Sequence, residues 1–439
     1  MKKIKARYFK PSLFRFEDRF NPSAFAEPIV LNSVNGLLDI TLLAHQSNQM
    51  LETTGQTPFN AGSTPAAVLT GGLYTYQWTL NSGQASLASV NVSTTQGDNY
   101  TGPTLNVNRG DTIRIRMEND LPDSIPLAPN TNTADNSVSQ MMPGPQPINN
   151  HMHGFHVSPE GSSDNVLIEI PQEMGFVYEY TIPQDQPDGL FWLHNHRHEF
   201  TNDQTYRGLA SMIIVGNAAS NIDQIASILP VNQRVMAMQT QNLASATNPS
   251  IPSYLVNPQM DGAAYSVGGA SGTPLQYLQY FQGGNVDNTA PYTDPTSSPG
   301  GIPNSFIKQY TINGLVNPTI TVGTGQTEVW SFDNISSGTN FQIGLYTGST
   351  LVPNNLFQIS QDGNVLSNAI AGNGLIIAPG SRYSFVITAP STANTSYTLK
   401  ANDIASGNKQ GSYPISLVTF TTNNTNGTTL SPVISTGTA

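Results

Sequence analysis

The sequence predicts an all-β protein built as two tandem domains, and three observations lead there. With 38 Gly and 31 Pro among 439 residues, and Thr, Asn, Ser and Val throughout, the chain suits short strands joined by turns. Apolar and polar residues alternate with the period of two that marks half-buried strands, as in "TIRIRMEND". The length exceeds the roughly 100 to 200 residues of a single domain, and a linker near residue 217 separates two runs of strand pattern.

Residues 1–28 stand apart in charge. Seven of the 17 basic residues (Lys2, Lys3, Lys5, Arg7, Lys10, Arg15, Arg19) lie there. The segment lacks the continuous apolar run of an ordinary secretory signal. Through "EDR" and "PSA" it resembles a short N-terminal segment found on many bacterial extracytoplasmic proteins, which implies an extracytoplasmic, periplasmic or secreted, location; a disordered basic tail is the alternative. No apolar run reaches the roughly 18 residues of a membrane span. Residues 29–439 carry 10 basic against 25 acidic side chains. That balance repels phosphate backbones and argues against nucleic acid as a partner.

Residues 29–217 read as the first domain. Its expected strands are "LLDITLLAHQ", "GLYTYQWTL", "TLNVNRGDTIRIRMEND" turning at "NRGD", "NVLIEI", "FVYEYTIP", "GLFWLHNH" and "LASMIIVG", and a long surface loop spans 121–150. "NAASNIDQIASILPVN" follows as a linker with one helical turn. Residues 218–422 form the second domain, through "RVMAMQTQ", "QYTINGLVNPTITV", "QTEVWSFDNI", "NNLFQISQDG", "NGLIIAPGSRYSFVITA" and "SYTLKA", with an aperiodic Gly/Pro/Tyr-rich insertion between 242 and 305. Residues 423–439 read as a linker-like tail of low complexity.

The chemistry concentrates in two short repeats, "NNHMHGFH" and "LHNHRH". In a strand, residues i and i+2 face the same side about 6.6 to 7 Å apart. Each His-x-His therefore aims two imidazoles one way. If the two strands are neighbours, His151, His153, His194 and His196 converge, and neutral imidazole suits copper, zinc and nickel. A satisfied polar or solvent-facing role is the bland reading for any one histidine, but two repeats in a chain with seven histidines weigh against it. His45 is expected to be structural. His156 and His198 are expected to flank and orient the ligands rather than bind. The chain has no cysteine, hence no disulfide, thiolate ligand or thiol nucleophile.

"TGPTLNVNRGDTIRIRMENDLP", "NNHMHGFHVSPEGSSDNVLIEIP" and "DGLFWLHNHRHEFTNDQTYRGLASMIIVG" together resemble the first cupredoxin domain of bacterial multicopper oxidases, the laccase-like enzymes. "FIKQYTINGLVNPTITVGTGQTEVWSFDN" and "FQISQDGNVLSNAI" with "LIIAPGSRYSFVITA" are similar to the copper-free second domain of three-domain members. The resemblance covers roughly two thirds of the sequence. It implies two tandem cupredoxin-like Greek-key β-sandwich domains. It further implies that His151 binds a type 2 copper, that His153, His194 and His196 bind a type 3 pair, that Asp164 assists proton delivery, and that Trp192 packs beside the site. The family takes four further histidines and a type 1 Cys–His pair from its last domain, and neither lies in these residues.

Two functions from different classes remain in view. One is a multicopper-oxidase half that oxidises phenols, amines or metal ions with O₂ only when a third cupredoxin domain is supplied. The other is a non-enzymatic, extracytoplasmic copper-binding or scaffold protein. A third and weaker reading uses the four histidines alone as a mononuclear or dinuclear site, for instance a copper store.

Overall fold

The protein is described from a computed structural model, over residues 25, 28–47, 73–81, 101–121, 147–198, 200–216, 232–245, 254–256, 266–268, 274–276, 306–315, 317–336, 338–405, 408–409 and 415–426. It is nearly all β with cupredoxin-like architecture. The 217–231 linker, most of the 121–150 loop and the aperiodic 242–305 insertion apart from its short strands lie outside the described residues. Among them, no helix is long and apolar enough to cross a membrane.

The first part contains β1 (Val30–Asn32), β2 (Leu37–Ser47), β3 (Leu73–Leu80), β4 (Thr104–Val107), β5 (Thr112–Asp120), β6 (His151–His153), β7 (Gly175–Thr181), β8 (Gly189–His194), α1 (Thr201–Arg207) and β9 (Ala210–Val215). One sheet runs β1-β4-β9-β8-β6 and the other β3-β2-β5-β7. Strand β5 shows why the sequence folds this way. Ile113, Ile115 and Met117 are fully buried between the sheets, while Arg114 reaches Asp39 and Glu179 on the outer face. The same core takes Ile40 and Leu42 from β2, Tyr178 and Tyr180 from β7, and Phe191 and Leu193 from β8. Each such side chain contributes roughly 1.5–3 kcal/mol on burial.

The second part continues with β10 (Asn232–Ser245), β11 (Tyr254–Val256), β12 (Ser266–Gly268), β13 (Pro274–Gln276), β14 (Phe306–Ile312), β15 (Thr319–Thr324), β16 (Thr327–Asn334), β17 (Asn340–Thr347), β18 (Thr350–Leu351), β19 (Leu356–Gln361), β20 (Asn364–Ala371), β21 (Ile376–Ile377), β22 (Arg382–Thr388), β23 (Ser396–Ala405), β24 (Asn408–Lys409) and β25 (Ile415–Asn426). Its sheets run β11-β10-β16-β22-β19-β20, with β14 beside β10, and β15-β25-β23-β17-β18, with β21 beside β17 and β24 beside β23. Trp330, Phe332 and Phe385 from the first meet Phe341 and Phe420 from the second in one core. No sheet mixes strands from the two sides of the 217–231 interval among the described residues.

Strand β8 joins the two halves. All six of its residues are buried, because both faces are covered. Phe191 and Leu193 point into the first core, whereas Leu190 and Trp192 meet Val235, Ala237 and Ile335 of the second part.

Four expectations change. "NVLIEI" is not a strand: only Ile170 makes an isolated bridge, to Ile148, and Leu167 is 85 % exposed. Strand β8 ends at His194, so His196 follows it in irregular backbone and the second His-x-His is not a strand pair. Strand β25 runs through to Asn426, pairing with Thr324, so the expected tail begins inside a strand. Phe25, assigned to the N-terminal segment, docks on the second part, donating its N–H to the Thr319 carbonyl at 2.8 Å. Helix α1 and, among the longer strands, β17, β20 and β25 were not expected from the sequence.

Candidate metal centre

Strands β6 and β8 are antiparallel neighbours in a register that sets His151 opposite His194 and His153 opposite Trp192. Directly opposed residues put their side chains on the same face. The face in question is the outer one, turned toward the second part, and not the core face that Phe191 and Leu193 occupy.

Donor nitrogens of His151, His153 and His194 all lie within 4.8 Å of one another. His153 Nδ1 and His194 Nε2 are 3.4 Å apart. Two nitrogens each about 2.0–2.1 Å from one metal ion, at tetrahedral to trigonal angles, would be separated by about 3.3–3.6 Å, so the donor set fits a metal without rearranging that pair. His196 stands at the rim. It is exposed, with its ring centroid 5.0 Å from His151 and 5.6 Å from His194. It lies outside the tight group of three.

Hydrogen bonds define which nitrogen is free in two of the rings. The Nδ1 of His194 lies 2.8 Å from the Asn195 carbonyl oxygen, an acceptor only, so Nδ1 carries the proton and Nε2 the lone pair. His151 Nδ1 is 2.9 Å from Asp164 Oδ2, while Asp164 Oδ1 accepts the Met152 N–H at 2.8 Å. A carboxylate behind a ligating imidazole fixes its tautomer and orientation. Asp164 returns to β6 because its own N–H donates to the Ser158 carbonyl, closing the loop after the motif. Trp192 stacks beside two of the rings, 5.1 Å from His153 and 4.2 Å from His194.

Burial drives the His194 imidazole well below its ordinary pKa. Burial, then the Arg382 charge, then His151, push His153 down to about 4. Both rings are therefore neutral near pH 7, the state in which imidazole binds metal.

Two buried asparagines tie the motifs together. Asn149 Oδ1 accepts from the His196 N–H at 2.7 Å, and Asn195 Oδ1 accepts from the Asn149 and Arg197 N–H groups at 3.3 and 3.0 Å. Asn150 bonds the hydroxyls of Tyr178 and Tyr180 beneath β6. His156 and His198 are exposed; His156 Nδ1 faces Asp185 at 3.6 Å, and the His156 N–H donates to Gln186. His45 pairs with Thr75 at 3.1 Å on the β2–β3 ladder.

Sequence reasoning missed the asparagines, Gln186 and Arg382. The asparagines were visible as immediate neighbours of both repeats. Arg382 was visible only as one cation in an apolar strand run.

Residues 135–220 match the family model for multicopper oxidase, and both histidine motifs fall inside that match. That stretch is similar to a multicopper oxidase domain. Solved structures extend the likeness over most of the chain, and at these identities it is a likeness of fold. The McoA multicopper oxidase 2F4 variant from the hyperthermophile Aquifex aeolicus superposes with TM-score 0.58 at 14 % identity, covering 94 % of this chain and 67 % of that one. The laccase-like multi-copper oxidase CueO from Ochrobactrum sp. gives 0.53 at 16 %, covering 91 % and 64 %. A metallo-oxidase from Campylobacter jejuni, also a multicopper oxidase, gives 0.52 at 15 %, covering 92 % and 62 %. The chain thus spans about two thirds of the length of these structures. No curated protein matches the sequence.

Proposed function

We propose that this multicopper oxidase domain holds copper through His151, His153, His194 and His196 as one half of a type 2 and type 3 cluster. The observation that carries the reading is the β6–β8 register, with three imidazoles on one face within 4.8 Å. His153 and His194 supply neutral nitrogens, His151 is held by Asp164, and His196 closes the rim. Bound copper would supply one-electron redox chemistry and an affinity for O₂. The protein's own residues orient the rings, exclude water from the Trp192 side and keep Asp164 within proton-transfer reach of the His151 Nδ1.

Oxidation of phenols, amines or metal ions with O₂ reduction requires a third cupredoxin domain bearing the complementary histidines and a thiolate copper site, because these residues contain no cysteine. The same absence favours a second reading, a copper-binding or scaffold protein without turnover of its own. The basic N-terminal segment supports an extracytoplasmic setting for either.

Copper titration of the purified chain tests the first step. Bound copper should fall sharply in His153→Ala and His194→Ala, and unchanged stoichiometry in both removes the site. Oxygen consumption with a phenolic substrate, run alone and with a complementary domain, tests the second. Turnover by the chain alone that His194→Ala abolishes would overturn the need for a partner domain.

A further inference from the structure

The part without ligands places a buried guanidinium directly behind the histidine pair. Arg382, the first residue of β22, is 4 % exposed. Its Nε donates to the Leu190 carbonyl of β8 at 3.2 Å, and its Nη1 to the Gly380 carbonyl at 3.1 Å. Its plane lies over the Phe191 ring, 5.3 Å from the centroid. On the first part it meets Gly154, the residue after His153. A Cβ there would stand 2.6 Å from Nη2, so the position admits the guanidinium only because it has no side chain. Gly380 in turn approaches the other edge of His153: a Cβ on it would lie 3.2 Å from Cε1. Asp362 anchors the base of the arginine, accepting its backbone N–H at 2.8 Å and lying 3.6 Å from Nη1.

These contacts share a geometric result. One planar fork bonds the β8 backbone four residues before His194, presses the turn after His153 and fixes the Gly380 carbonyl whose residue walls His153. Strands β6 and β8 themselves pair over three residues. Lysine cannot reproduce this, since an ammonium lacks the rigid fork that reaches two carbonyls at once and stacks on a ring.

Resting on the copper reading above, we infer that Arg382 is a positioning residue for the half-site, contributed by the domain that has no ligand of its own. It sets the spacing of His153 and His194 through its contacts with the Leu190 carbonyl and with Gly154, and touches no metal itself.

The test uses the full chain loaded with copper(II), read by electron paramagnetic resonance and by competition with a chelator, with circular dichroism and thermal melts as fold controls. Arg382→Lys keeps the charge and loses the fork. We expect an altered copper(II) spectrum and an affinity loss of about tenfold or more in it, within the range measured for residues that orient metal ligands, and the same in Arg382→Met. Asp362→Asn, at a partly exposed turn, keeps the backbone acceptor and removes the ion pair. It should shift the spectrum in the same direction by a smaller amount, and it serves if the arginine variants do not fold. Wild-type spectrum and affinity in a folded Arg382→Lys chain, or in Asp362→Asn if the arginine variants do not fold, would overturn the inference. A change in Arg382→Met alone also overturns it, since charge and not position would then be the cause. A wild-type chain that binds no copper overturns the functional reading and this inference together, which separates that failure from the others.

Discussion

Acidification of the copper-free chain probes the centre without any assumption about turnover. The His153 pKa falls from its ordinary 6.5 to about 4 on folding, chiefly through burial. A histidine whose folded pKa is depressed binds a proton more readily when unfolded, so its neutral burial favours folding above pH 6.5 and opposes it progressively as the pH drops toward 4. Each pKa unit corresponds to about 1.4 kcal/mol, so His153 alone removes about 2 kcal/mol of stability between about pH 7.5 and about pH 5. His194 acts in the same direction. The assay is urea unfolding at both pH values, followed by tryptophan fluorescence, to which Trp78 and Trp192 contribute from the first part and Trp330 from the second. His153→Gln should lose about 2 kcal/mol less than the parent over the same interval, whatever its stability at neutral pH. Equal losses in parent and variant would refute burial of a neutral His153 as the cause.

Four other outcomes follow. Asp164→Ala frees the His151 Nδ1, and copper affinity should drop about 10- to 100-fold in chelator competition. Copper at about 100 times its dissociation constant should raise the unfolding free energy by about 2.7 kcal/mol near pH 7, a gain that His194→Ala abolishes. Gly363→Ala forces a Cβ to 2.5 Å from Phe191 Cζ at a φ of +84°, and should destabilise the chain by more than about 1 kcal/mol in thermal unfolding, with the loss of contact between the two parts. Copper loading should give no intense blue absorption in any variant, because the chain offers no thiolate.

Most of the fold was legible because its strands alternate cleanly. "TIRIRMEND" has one apolar face and one charged face, and its burial follows that alternation residue by residue. "NVLIEI" failed as a strand because apolar content is not pairing: the side chain of Asn149 takes the Val166 carbonyl, leaving no ladder for a neighbour to continue. "FQIGLYT" in β17 was passed over since Gly344 interrupts the pattern. A Cβ there would meet Tyr346 at 3.0 Å, so the glycine is a close-packing position within the strand. The histidines were visible as repeats, but their geometry was not. Register put His151 opposite His194, and the end of β8 put His196 at the rim, and neither follows from spacing alone. Arg382 stood 192 residues from the carbonyl it bonds, beyond any local pattern.

That separation also sets a timetable for manufacture. At about 5–20 residues per second, on the order of ten to forty seconds of synthesis pass between the emergence of Leu190 and that of Arg382. During that wait the nascent imidazoles have neither the guanidinium behind them nor the Gly380 wall beside His153, and any divalent ion is free to sample them. By the Irving–Williams order, such a loosely built nitrogen site takes whichever metal is available and affine, zinc among them. On the copper reading proposed above, metallation therefore belongs after Arg382 has emerged and the guanidinium and the Gly380 wall are in place.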